Sequence, residues 1–151
     1  MPAGAPIPDQ PYSPNAARRT ADLLTHRWVL HVLAVLARHP TRRNELRRAI
    51  DSLYRADGDR GRLDGEPGVH DSALTRILRQ METDGLIERT VLDQHHPPAV
   101  RYSITVEGRS LLPLARALAD WHHEHGAAVA GRRAAGDGTP NGSRTGADRA
   151  T

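Results

Sequence analysis

Hydrophobic residues recur along this chain in helical stripes and in one pair of alternating runs. Leu74, Ile77, Leu78 and Met81 follow i, i+3, i+4, i+7, the spacing of one face of an amphipathic helix. Asp71 ahead of them is a candidate N-cap, because its carboxylate can accept from an orphan backbone N–H, and Gly85 is a candidate stop. The opposite face of that helix carries Ser72, Thr75, Arg76, Arg79 and Thr83. Beyond Gly85, residues 86–92 and 99–105 read as strands, with Ile87, Thr90 and Val91 in the first and Val100, Tyr102 and Ile104 alternating in the second. The intervening Asp93-Gln94-His95-His96-Pro97-Pro98 cannot continue a ladder and predicts a hairpin tip.

The stretches on either side follow the same logic. Ser13 and Pro14 suit the start of a short first helix over 16–24. Residues 26–38 hold Trp28, Val29, Leu30, Val32, Leu33, Val35 and Leu36, apolar around much of a helix, and predict a core element. His39-Pro40 breaks it, and Thr41 can cap a helix over 42–51 that turns Leu46, Ala49 and Ile50 inward and Arg42, Arg43, Arg47 and Arg48 outward. After the hairpin, Thr105 can cap a last helix over 106–125, with the stripe Leu111, Leu114, Ala115, Leu118 and Trp121, and Pro113 should kink or divide it. Proline-rich residues 1–13 and the Ala-, Gly- and polar-rich 127–151 predict a disordered arm and tail around one domain over 14–126.

Two helices followed at once by a hairpin give a fold class that is mostly α with a small β-hairpin (α+β), in the order of a winged helix-turn-helix. Residues 52–70 depart from it. A helix-turn-helix normally turns in three or four residues, whereas this stretch is long and rich in Gly, Asp and Arg, and reads as an insertion in the turn. Leu53 and Tyr54 can extend the preceding helix by a turn, while the centre, 57–68, has no apolar face and predicts a flexible excursion that leaves the flanking helices in contact.

Composition narrows the chemistry. The net charge is only +3, but all 21 basic residues are arginine, and residues 18–48 hold eight of them against Asp22 and Glu45. There is no cysteine, which excludes disulfides, thiolate metal sites and thiol redox sensing. No apolar run is long enough to span a bilayer and the N-terminus lacks a signal-peptide core, so a cytoplasmic protein is expected. His122, His123 and His125 with Glu124 lack a third ligand at suitable spacing and suit a helix C-terminus better than a metal site. No nucleophile–base pattern or phosphate-cradling glycine loop stands out, so neither an enzyme nor a cofactor is expected. For the polar face of 72–83, double-stranded DNA and plain solvent both remain open. On the DNA reading, Thr75, Arg76 and Arg79 reach base edges while Ser72, Arg42 and Arg43 approach phosphates. His95, His96 and Arg101 would then bring the hairpin to the flanking backbone. Trp28 and Trp121 are candidate small-molecule contacts, against the plainer reading of packing.

A series of residues also resembles the HxlR-type winged-helix transcriptional regulators of bacteria. It comprises Trp28; Pro40, Arg42, Glu45, Leu46 and Ile50; Leu74, Thr75, Leu78, Glu82, Gly85, Leu86, Ile87 and Arg89; and Pro97, Pro98, Val100, Tyr102, Ser103, Thr105, Gly108, Leu111 and Trp121. The likeness covers about residues 15–126. It implies a homodimer joined through the first and last helices, binding inverted-repeat operators, and sensing an oxidant, an electrophile or another small-molecule effector. The cysteine that some members use for sensing is absent, Arg43 or Asn44 stands where the family has Phe, and the insertion is unusual. The alternative is the same fold used for protein–protein contact or small-molecule binding without DNA.

Overall fold

The computed structural model describes residues 11–57, 68–95 and 97–137. Within them the elements are α1 (Pro14–Leu23), α2 (Val29–Leu36), β1 (Thr41–Arg42), α3 (Arg43–Asp57), α4 (Asp71–Thr83), β2 (Ile87–Asp93), β3 (Ala99–Ile104), α5 (Val106–Ser110) and α6 (Leu112–Asp137). The architecture is mostly helical with one small antiparallel sheet in the order β1-β3-β2. Residues up to Leu112 form one compact unit and those from Pro113 another.

The core of the first unit gathers around α2, whose Val29, Val32, Leu33 and Leu36 are buried. Leu46 and Ile50 of α3, Leu74, Ile77, Leu78 and Met81 of α4, then Val69, Leu86, Ile87 and Tyr102 close over it. α2 starts later than expected because residues 26–28 form a turn, in which the His26 ring accepts from the Trp28 N–H at 3.3 Å. The Thr25 hydroxyl donates back to the Ala21 carbonyl, and the N–H of Val29 reaches the His26 carbonyl in a tight turn.

Thr41 and Arg42 correct the expected start of α3. They form β1, with Thr41 opposite Tyr102 and Arg42 opposite Arg101 on β3. Thr41 is buried and its hydroxyl donates to the His39 carbonyl, so it caps no helix. β1 instead satisfies backbone groups that β3 would leave at a bare edge.

Both ends of the 52–70 insertion are ordered, the first as the expected extension of α3. α3 runs on to Asp57 because Leu53 and Tyr54 continue the stripe of Leu46 and Ile50 and pack on the core. Val69 is a core residue, and its N–H donates to Asp51 Oδ1 at 2.8 Å. The flexible excursion expected over 57–68 falls largely on 58–67, outside the described residues. Leu46 and Ile50 nonetheless share one core with Leu74 and Ile77.

α4 takes His70 as its N-cap, and Asp71, expected in that role, is the first helical residue. A carboxylate there still interacts favourably with the helix dipole. At the other end Gly85 has φ 73°. Its N–H donates to the Glu82 carbonyl at 3.1 Å and that of Leu86 to the Met81 carbonyl at 2.9 Å. Such paired bonds after a left-handed residue are a Schellman turn, so Gly85 ends the helix as anticipated.

The hairpin pairs Ile87 with Ile104, Arg89 with Tyr102 and Thr90 with Arg101, with a register shift between Val91 and Asp93. Thr105 caps α5 by accepting from the Gly108 N–H at 3.0 Å. Pro113 divides the expected last helix into α5 and α6. α6 continues to Asp137, which overturns the domain end at 126 and a disordered tail beginning at 127. Ala127, Ala128, Ala130, Ala134 and Ala135 are the best of helix formers and outweigh the glycines among them. The expectations for 1–10 and 138–151 lie outside the described residues.

A Cβ at buried Gly108 would sit 2.1 Å from the Leu86 carbonyl oxygen. In an open helix Gly→Ala stabilises by about 1 kcal/mol. Gly108→Ala should instead destabilise by about 1–3 kcal/mol, because backbone must move. A denaturation midpoint at or above wild type would show that α5 does not lie this close to Leu86.

Candidate nucleic-acid interface

With its apolar side buried, α4 turns Ser72, Thr75, Arg76, Arg79, Gln80 and Thr83 toward one shallow concavity. Arg76 and Arg79 are exposed and make no ion pair among the described residues. Thr75 is less free. Its hydroxyl donates to the Asp71 carbonyl at 2.8 Å and accepts from Arg43 Nη2 at 2.8 Å. Arg43 Nη2 also donates to the Asp71 carbonyl at 3.2 Å. The Asp71 carboxylate stands 3.8 Å from both Arg43 and Arg47; at its exposure such pairs add little stability. Arg43 is therefore held against the start of α4 instead of extending into solvent.

The faces of the sheet divide the remaining candidates. Ile87, Arg89 and Tyr102 share the side toward the core, where Arg89 projects past the apolar residues and stays exposed. A second crevice is lined by Arg43, Thr75, Arg79, Glu82, Arg89, Pro98, Val100 and Tyr102. Arg42, Arg101 and Thr90 align across the three strands on the other side. At the hairpin tip the His95 ring and backbone N–H both contact Asp93 Oδ1. Those two contacts hold the Asp93 carboxyl below its ordinary range, the ring contact contributing most. His96 lies outside the described residues.

The two tryptophans differ in setting. Trp28 is buried, with the rings of His31 and Tyr54 edge-on at 5.2 Å and the Arg27 guanidinium over its face at 5.1 Å. A cavity of about 540 Å³ opens beside α2 and α3, lined by Val35, Arg38, Thr41, Ala49 and Leu53 among others, and neither tryptophan lines it. On α6, Leu114, Leu118 and Trp121 are exposed by 39%, 51% and 55%. Among the described residues no group of three His, Asp or Glu is placed to hold a metal, and no helix is long and apolar enough to cross a membrane.

Residues 63–129 match the family described as HxlR-like helix-turn-helix. The HTH-type transcriptional regulator sll1512 of Synechocystis sp. is 33% identical over 108 residues, 69% of this chain and 67% of its own length. YkvN of Bacillus subtilis, another HTH-type transcriptional regulator, is 31% identical over 102 residues, 68% of this chain and 72% of its own. The chain belongs to the HxlR family. A solved structure of the redox regulator HypR in its reduced form is 26% identical, with a TM-score of 0.58 over 77% of this chain and 98% of that one.

As an HxlR-family member the chain is a DNA-binding winged helix-turn-helix transcriptional regulator and not an enzyme. Its helix-turn-helix is α3 and α4, and its wing is the β2–β3 hairpin. The structure brings Ser72, Thr75, Arg76 and Arg79 together with Arg43, while Arg42 and Arg101 stand on the opposite face of the sheet. Two residues that line these concavities were not singled out above. Gln80 sits one turn after Arg76 on the same helix face, and Arg89 is in phase with core-facing Ile87 at strand period. Both signals were present in the sequence.

The tip contact has a direction in pH. A carboxyl held below its ordinary value near 4 keeps its contact above that value and loses it as pH falls through the lowered one. NMR titration should show Asp93 protonating at a lower pH than an aspartate in a model peptide. An ordinary midpoint would show that His95 does not engage it.

Proposed function

We propose that this regulator works as a homodimer on an inverted-repeat operator, with α4 as the recognition helix. The observation that supports it is the pair of guanidiniums of Arg76 and Arg79, without ion pairs among the described residues, set among hydroxyl and amide donors on a helix whose inner face is buried. Arginine pairs bidentately with guanine edges in the major groove, so Arg76, at the centre of that face, reads sequence, with Arg79 beside it. Ser72 approaches the backbone. Arg42 and Arg101 bring a second positive surface to the flanking phosphates, and His95 adds a ring at the tip of the wing.

Dimerisation is supported by two helices that bury little. No residue of α1 is buried. α6 exposes Leu114, Leu118 and Trp121, spaced as one helical stripe. A two-fold dimer sets two α4 helices into successive major grooves, roughly 34 Å apart. Such a regulator acts in the cytoplasm, where the DNA is. Its signal is other than cysteine oxidation, since the sequence has no cysteine.

Electrophoretic mobility shifts on the regulator's own upstream DNA should show tight, salt-dependent binding. Binding without salt dependence, or none, would favour a winged helix used for protein contacts. Arg76→Ala should cost about 1–3 kcal/mol on the operator and little on random duplex; equal losses on both would remove base reading by Arg76. Trp121→Glu should turn a sedimenting dimer into a monomer at micromolar concentration and weaken operator binding with it. A variant that stays dimeric would exclude α6 from the interface.

A further inference from the structure

The crevice between α4 and the root of the hairpin, about 410 Å³ in volume, collects guanidiniums from three elements: Arg43 of α3, Arg79 of α4 and Arg89 of β2. Glu82 is the one carboxylate among its lining residues. Like charges gathered this way repel one another and favour an anion between them. Arg89 makes no ion pair among the described residues.

We propose that Arg43 and Arg89 grip one backbone phosphate of duplex DNA in this crevice, with Thr75 as the residue that positions Arg43. The proposal rests on the DNA-binding reading above and assigns a contact within it. Arg43 Nη2 spends both its N–H groups on the Thr75 hydroxyl and the Asp71 carbonyl. A guanidinium carries five N–H donors in a rigid fork, so Nε and Nη1 keep three for a ligand while the side chain is already ordered. That pre-organisation spares the entropy that an exposed arginine loses on binding. The Asp71 carboxylate lies beside Arg43 and Arg47 at the start of α4, where it repels phosphate. The crevice is the attractive side.

The ligand is a phosphate of the bound duplex and not a free one, because the crevice is continuous with the reading face. Thr75 and Arg79 line both concavities. A duplex laid on Arg76 therefore carries its backbone past Arg79 toward Arg43 and Arg89. Thr75, expected to read a base, has its only donor committed to the Asp71 carbonyl. Its hydroxyl serves the backbone contact through Arg43.

The test compares wild type, Arg89→Ala, Arg89→Lys and Thr75→Val on operator and random duplexes across a salt series, with melting temperatures confirming the fold. Arg89 is exposed, so its replacement should leave the melting temperature unchanged. Arg89→Ala should weaken both duplexes by the same factor, roughly tenfold, the loss of one charge-assisted contact. The slope of log K against log salt should become shallower by about 0.9 for each site engaged, and Arg89→Lys should restore most of that slope. Thr75→Val should weaken both duplexes alike. An unchanged affinity and slope in Arg89→Ala overturns the phosphate site, as does a Thr75→Val variant that loses only its preference for operator. Wild-type protein that binds no duplex overturns the DNA reading itself, and this proposal falls with it.

Discussion

The backbone of Gly85 and Leu86 is the joint on which the winged unit depends. Met81 and Glu82 at the end of α4 send their carbonyls to it through the Schellman bonds, and β2 leaves from it. The Thr105 hydroxyl donates to the Gly85 carbonyl at 2.7 Å and its N–H to the Leu86 carbonyl at 3.1 Å, so the end of β3 returns to the same two residues. α5 then approaches so closely that only a glycine fits at 108. α4, both wing strands and the following helix are thus oriented by a few backbone groups. A positive φ at Gly85 is the conformational condition for all of it.

That joint also relates the wing to the polar face of α4. β2 begins two residues after Gly85, and its alternation decides which arginine joins α4. Arg89 follows the phase of Ile87 and comes to the crevice, whereas Arg101 lies in the opposite phase to buried Tyr102 and stays on the far side with Arg42. A net charge of +3 would not by itself mark a nucleic-acid protein. Position does more than total here. Among the described residues Arg76 and Arg79 are left without acidic partners, while Asp71 and Thr75 hold Arg43 in place. Such placement governs local potential over the distance of a Debye length, about 8–10 Å.

Much of this was readable from local pattern. The stripe of Leu74, Ile77, Leu78 and Met81, the stop at Gly85, the hairpin with its Pro97-Pro98 tip, the cap at Thr105 and the division at Pro113 each depend on near neighbours in the chain. The polar face of α4 followed from the same periodicity. Errors arose where local signals were weak or opposed. Gly126 looked like an ending, yet the alanines after it sustain a helix. At the start of the 52–70 stretch, by contrast, Leu53 and Tyr54 were in phase with Leu46 and Ile50, and α3 runs through them.

By itself, then, the amino-acid sequence determined the helices with a clear apolar stripe, the order helix–helix–hairpin and the helix face that carries Arg76 and Arg79, because backbone period and side-chain polarity are local properties. Tertiary structure alone decided that Thr41 and Arg42 form a strand, since two residues have no propensity to do so without the bare edge of β3 beside them. It also decided that Arg43 and Thr75, thirty-two positions apart, share a hydrogen bond, and that Arg89 lies with them. Which donors remain free to meet a ligand depends on which groups the fold brings within reach. No periodicity in one element records what another element will place against it.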